Sequence, residues 1–89
     1  MKKDEKFYNF NPSLKGTIAK NIRKYRKQRG LTQEELALYA ELSYDFVRRI
    51  ETSFGKSGFS VFTLYKIATV LEVSLDDLVK EEKVTTKNS

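Results

Sequence analysis

Tyr44, Asp45, Arg48 and Arg49 stand close together in the stretch "SYDFVRRIE", and no other stretch of the chain is better equipped for chemistry. At helical spacing Phe46, Val47 and Ile50 fall to one side and those four residues to the other, so an apolar face would turn a polar one outward. A guanidinium is a rigid fork of donors that pairs bidentately with guanine O6 and N7 or with phosphate oxygens, and a carboxylate can accept from cytosine N4. That is recognition chemistry. Reaction chemistry has little to draw on: the chain contains neither His nor Cys, which removes His-based acid–base work, thiolate metal sites and the common nucleophile–base pairs. The stretch "FGKSG" ends like a phosphate-binding loop. The first Gly of G-x-x-x-x-G-K-[ST] would however fall at position 50, which is Ile50, and a helix precedes it where the motif needs a strand. Asp76, Asp77, Glu81 and Glu82 could bind a hard cation weakly, but acids at a helix start are accounted for by the helix dipole. No metal, no cofactor and no enzymatic activity are expected.

The elements that must position the arginines follow from periodicity and caps. Residues 1–12 mix charge with Phe7, Tyr8 and Phe10 before Asn11-Pro12, and form an N-terminal arm. Leu14, Ile18, Ile22 and Tyr25 make the stripe of helix one, which a Lys/Arg-rich turn and Gly30 bring to an end. Thr32-Gln33-Glu34-Glu35 fits a capping box opening helix two, with Leu36, Ala37 and Ala40 inside. That helix must stop near Glu41-Leu42, because Ser43 is a good N-cap for helix three, which buries Phe46, Val47 and Ile50. Thr52 to Gly58 is a loop. Ser60 caps helix four, striped by Val61, Leu64, Ile67, Ala68 and Leu71. Ser74-Leu75-Asp76-Asp77 opens a short helix five with Leu75, Leu78 and Val79 inside. The expected fold is all-α, a single five-helix domain over residues 13–82, with the arm 1–12 before it and a polar tail 83–89 after it. Neither β-alternation nor an internal repeat is visible.

Eighty-nine residues allow one modest core. Hydrophobic residues at 39% and charged residues at 33% are the proportions of a soluble globular chain rather than a disordered one. No apolar run approaches the ~18 residues of a membrane span, and no apolar segment follows the charged start as a secretory signal requires, so a cytoplasmic location is expected. The charge is lopsided: residues 1–30 carry +8 and the remainder −3, within a net +5. A basic half favours a polyanionic partner, though a solvated face would look the same.

Two short helices joined by so few residues must cross steeply, as in a helix-turn-helix unit, and an exposed helix of this kind fits the major groove of B-DNA. Taken in order, "IRKYRKQRGLTQEELA", Leu42-Ser43, "VRRIE" and "LYKIATVLEVSLDDLV" resemble the lambda-repressor-like, Cro/C1-type (XRE family) helix-turn-helix DNA-binding proteins over roughly residues 14–80. The resemblance implies a lambda-repressor-like domain whose helices two and three form the helix-turn-helix. It implies that Gln33 holds a phosphate at a helix N-terminus and that Ser43 and Tyr44 begin the contacts of the reading helix. Asp45 and Arg49 then face bases with Arg48 beside them, and Arg26 and Glu51 form a buried ion pair between helices one and three. The residues themselves leave Asp45 open between capping its own helix and accepting from cytosine, and Tyr44 between packing on protein and touching phosphate or a thymine methyl. The sequence departs from the family pattern at Glu41, where Gly is common, and in the longer loop "TSFGKSGFSVF", from which Lys56 is the expected backbone contact.

The expected function is sequence-specific binding of double-stranded DNA by a transcriptional regulator, a repressor in preference to an activator, reading the major groove with residues 43–51. The expected assembly is a homodimer, joined through helix five around Val79, on a pseudo-palindromic operator. The alternative is a protein-binding module on the same fold, such as an antitoxin or adaptor, with a protein partner on exposed aromatics from Phe7, Tyr8, Phe10, Phe54 and Phe59.

Overall fold

A computed structural model describes residues 13–52 and 60–81. The chain forms α1 (Leu14–Gln28), α2 (Gln33–Ala40), α3 (Tyr44–Thr52), α4 (Val61–Leu71) and α5 (Leu75–Val79), the all-α, five-helix architecture anticipated above. The arm 1–12, the loop aromatics Phe54 and Phe59, Lys56 and the tail 83–89 lie outside the described residues. Among the described residues no helix is long and apolar enough to cross a membrane.

One turn design is used three times. Gly30, Glu41 and Glu72 each adopt a left-handed conformation, with φ of 71°, 58° and 59°. Each donates its N–H to a carbonyl three residues back, and the next residue (Leu31, Leu42 or Val73) donates to one five residues back, the double closure of a Schellman motif. That next residue is apolar and packs against the core. A hydroxyl residue then caps the following helix: Thr32 Oγ1 accepts from the Glu35 N–H, Ser43 Oγ from Phe46 and Ser74 Oγ from Asp77. Thr32 and Ser74 head full capping boxes, in which Glu35 and Asp77 return a carboxylate to the cap backbone N–H. A left-handed stop, an apolar anchor and a hydroxyl start turn the chain sharply within three residues, so successive helices cross instead of running alongside.

The core gathers Ile18 and Ile22 of α1, Leu36, Ala37 and Ala40 of α2, Val47 and Ile50 of α3, Ile67, Ala68 and Leu71 of α4, and Leu78 of α5. Packing is closest between α2 and α3 and between α1 and α5, with α4 set against α2. Ala37 and Ala40 are both buried on α2, whose inner side packs on α3 and α4, where a larger side chain would push the helices apart. The stripes expected from periodicity are shorter than the helices that carry them. Leu14 and Val61 sit in first turns and are 40% and 72% exposed, and α5 buries Leu78 while Leu75 and Val79 stay 40% and 36% exposed. Helix ends overhang the neighbours that cover their middles, which periodicity does not register.

Candidate nucleic-acid interface

The outward side of α3 forms because its inward side is fully used. Val47, Ile50 and Glu51 are buried and Phe46 is half-buried against the core. At about 100° per residue, Asp45 lies nearly opposite that arc. Arg48 and Arg49 flank it to either side, and Tyr44 stands exposed at the edge. The three charged side chains form one cluster: Arg48 Nη2 lies 2.7 Å from Asp45 Oδ1, and Arg49 Nε lies 3.0 Å from Asp45 Oδ2. The hydrogen bond from Arg48, with the nearby charge of both arginines, holds the Asp45 carboxyl below the usual carboxylate range against the opposing pull of desolvation. Ser43 takes the cap of α3, so the Asp45 carboxylate is spent on the arginines instead of on the helix N-terminus.

Behind this face one buried network fixes the angle of α3. Arg26, in the last turn of α1, pairs bidentately with Glu51: Nε donates to Oε2 at 2.7 Å and Nη2 to Oε1 at 3.0 Å. Its remaining Nη1 donates to the Leu31 carbonyl at 2.7 Å. Gln33, the first residue of α2, adds a bond from Nε2 to Glu51 Oε1 at 3.1 Å. Arg26 of α1 and Gln33 of α2 thus converge on one α3 carboxylate that is almost wholly buried, with the first turn tied to the same Arg26 guanidinium, and each Glu51 oxygen has a donor, as a buried charge requires. The Gln33 amide, whose phosphate role is implied only by the resemblance, keeps its second N–H after this bond.

Sequence reasoning missed two features. Asn21 is buried, and its Nδ2 lies 2.8 Å from the Leu78 carbonyl, 2.9 Å from that of Lys80 and 3.3 Å from that of Asp77, pinning the end of α5 to α1. A polar residue beside the Ile18–Ile22 stripe was the available sign. The second is an exposed aromatic patch. Phe62 and Tyr65 of α4 stack at 6.3 Å, and Tyr65 lines a shallow cleft with Tyr39, Glu41 and Lys66. Lys66 Nζ lies over the Phe62 ring at 5.1 Å and reaches the Glu41 carbonyl at 3.4 Å. The basic residues Lys20, Arg23, Lys24 and Lys27 run along the side of α1 that faces away from its buried Ile18, Ile22 and Arg26, while Arg29 pairs with Glu72 at 3.0 Å. Among the described residues no group of His, Cys, Asp and Glu is arranged to hold a metal ion.

Residues 22–78 match the model of a helix-turn-helix family. Over 66 residues the chain is 32% identical to an uncharacterized HTH-type transcriptional regulator, y4dJ, of Sinorhizobium fredii (strain NBRC 101917 / NGR234), an alignment spanning 74% of this chain and 83% of that protein.

Proposed function

The chain belongs to the helix-turn-helix family, and from that premise we propose that it regulates transcription, as a repressor, by binding a specific double-stranded DNA sequence through α3. The observation that carries the reading is the outward side of α3, where Tyr44, Asp45, Arg48 and Arg49 share one exposed face and a buried network fixes the helix behind it. A helix so held can enter the major groove as a rigid body, and its guanidinium forks match guanine edges and phosphates. Ser43 begins the contact, Gln33 meets a phosphate at the start of α2, and Lys56 meets the backbone from the loop. The protein acts in the cytoplasm as a homodimer on a pseudo-palindromic operator. Leu75 and Val79, one turn apart and both part-exposed, supply an apolar patch for the partner copy.

The exposed Tyr39, Phe62 and Tyr65 favour a second reading, a protein partner of the antitoxin or adaptor kind, because clustered exposed aromatics mark interaction surfaces. The two readings separate by selection from a random duplex pool, followed by binding of the best sequence and a scrambled one at two salt concentrations. A symmetric motif favoured by about 10³ or more at moderate salt supports DNA reading. Weak, sequence-blind binding that salt abolishes contradicts it.

A further inference from the structure

α4 turns Leu64, Ile67, Ala68 and Leu71 to the core, and at about 100° per residue Phe62 and Tyr65 fall on its far side. The two rings stack there, and Tyr65 shares the shallow cleft with Tyr39 of α2. Phe62, Tyr65 and Tyr39 are 65%, 56% and 59% exposed. Rings that can each bury roughly 200 Å² thus leave about 350 Å² of aromatic surface in one patch, a size at which patches on single chains often serve a contact. The charge in the patch is balanced. Lys66 Nζ lies over the Phe62 ring and 3.4 Å from the Glu41 carbonyl oxygen, while the Glu41 carboxylate, on the same cleft, has no partner among the described residues. A cation and a carboxylate side by side offer no net attraction to a polyanion, so DNA is a poor occupant. They suit a two-fold contact, because a patch that faces its own copy must carry both signs.

We propose that this patch is a self-association surface, on which two copies of the chain meet through the outward faces of α4, burying Phe62, Tyr65 and Tyr39 and setting Lys66 of each against the Glu41 carboxylate of the other. This rests on the reading of these aromatics as a protein-binding surface and names a second copy as the occupant; it does not depend on how α3 meets DNA. Two such patches amount to about 700 Å² of aromatic surface, short of the roughly 1,200–2,000 Å² of a stable complex. The contact is therefore weak between free molecules. It gains force where DNA already holds two molecules close, since tethering raises the effective concentration to about the millimolar range. With α5 pairing two copies on one operator, α4 joins neighbouring dimers along the DNA, and their binding becomes cooperative.

The test is sedimentation equilibrium of the full chain without DNA, with Val79→Glu present throughout to block pairing through α5 and melting curves to establish that each variant is folded. The mass is expected to climb from monomer towards dimer as the concentration approaches about the millimolar range, and Tyr65→Ser is expected to hold it at the monomer. Glu41→Lys and Lys66→Glu each set like charges across the two-fold and should weaken association about tenfold or more. An equimolar mixture of those two variants should regain the dimer, because every facing pair is then opposite in sign. Neither damage to the fold nor a site for a different protein produces such complementation between chains. A monomer at every concentration overturns the proposal. So does association that survives Tyr65→Ser, or a mixture no heavier than its parts, which would leave the patch to a different partner. No DNA enters the measurement, so a failure of the DNA-reading proposal cannot be mistaken for a failure of this one.

Discussion

Arg49 and Gln33 would touch DNA for different purposes, and their truncation should separate specificity from affinity. Arg49→Ala is expected to cost ~1–3 kcal/mol on the best site and to relax selection at one base position. Gln33→Ala is expected to weaken all sequences about equally, which titration against selected and scrambled duplexes checks. Arg26 and Glu51 belong to stability. Removing either side chain strands a buried charge, so Arg26→Ala or Glu51→Ala should lower the unfolding free energy by ~3–5 kcal/mol in urea titrations. Replacing both with apolar residues should cost less than either single change. This pair is 25 residues apart in the chain, and only the resemblance to a known family pointed to it. Gln33 as a further donor to Glu51 was not legible, and of Asn21 as the clasp of α5 only its place beside the Ile18–Ile22 stripe was. Both are tertiary contacts of polar groups, and periodicity reports only apolar ones.

At the scale of the elements, helix starts were plain in the sequence because hydroxyl caps and capping boxes are local chemistry, and the starts at Thr32, Ser60 and Ser74 fall where those residues place them. The stops were harder. Glu41 holds a left-handed conformation at φ 58° without being Gly, a strain of roughly 1 kcal/mol. Glu41→Gly should relieve it and raise stability by up to ~1 kcal/mol, part of the gain being offset by the freer unfolded chain. Glu72→Gly should gain less, since the Glu72 carboxylate also accepts from Arg29. The α5 box adds a pH dependence. The backbone N–H of Ser74, then its hydroxyl, hold the Asp77 carboxyl below the usual carboxylate range. Its folded pKa being depressed, Asp77 contributes stability above the unfolded value of about 3.9, and that contribution disappears as pH falls through the folded value. Melting temperature should therefore drop as pH falls below about 4, and Asp77→Asn should flatten part of that drop.

For the whole molecule, the basic half of the sequence resolves into distinct parts. Arg26 is buried in an ion pair and Arg29 meets Glu72, while Lys20, Arg23, Lys24 and Lys27 run along the outer side of α1. Net charge alone could not make that division, because charge sums over faces that the fold separates. On DNA the protein is expected to have a dimeric mass. A monomeric mass on a duplex with a single half-site would contradict dimerisation through α5 while leaving the reading helix intact. That the outward side of α3 is the DNA surface is tested by following backbone amide resonances while titrating the selected duplex at moderate salt. The largest changes are predicted at residues 43–49, with Gln33 shifting alongside them. Changes concentrated at Tyr39, Phe62 and Tyr65, or along Lys20 to Lys27 with α3 unmoved, would contradict it.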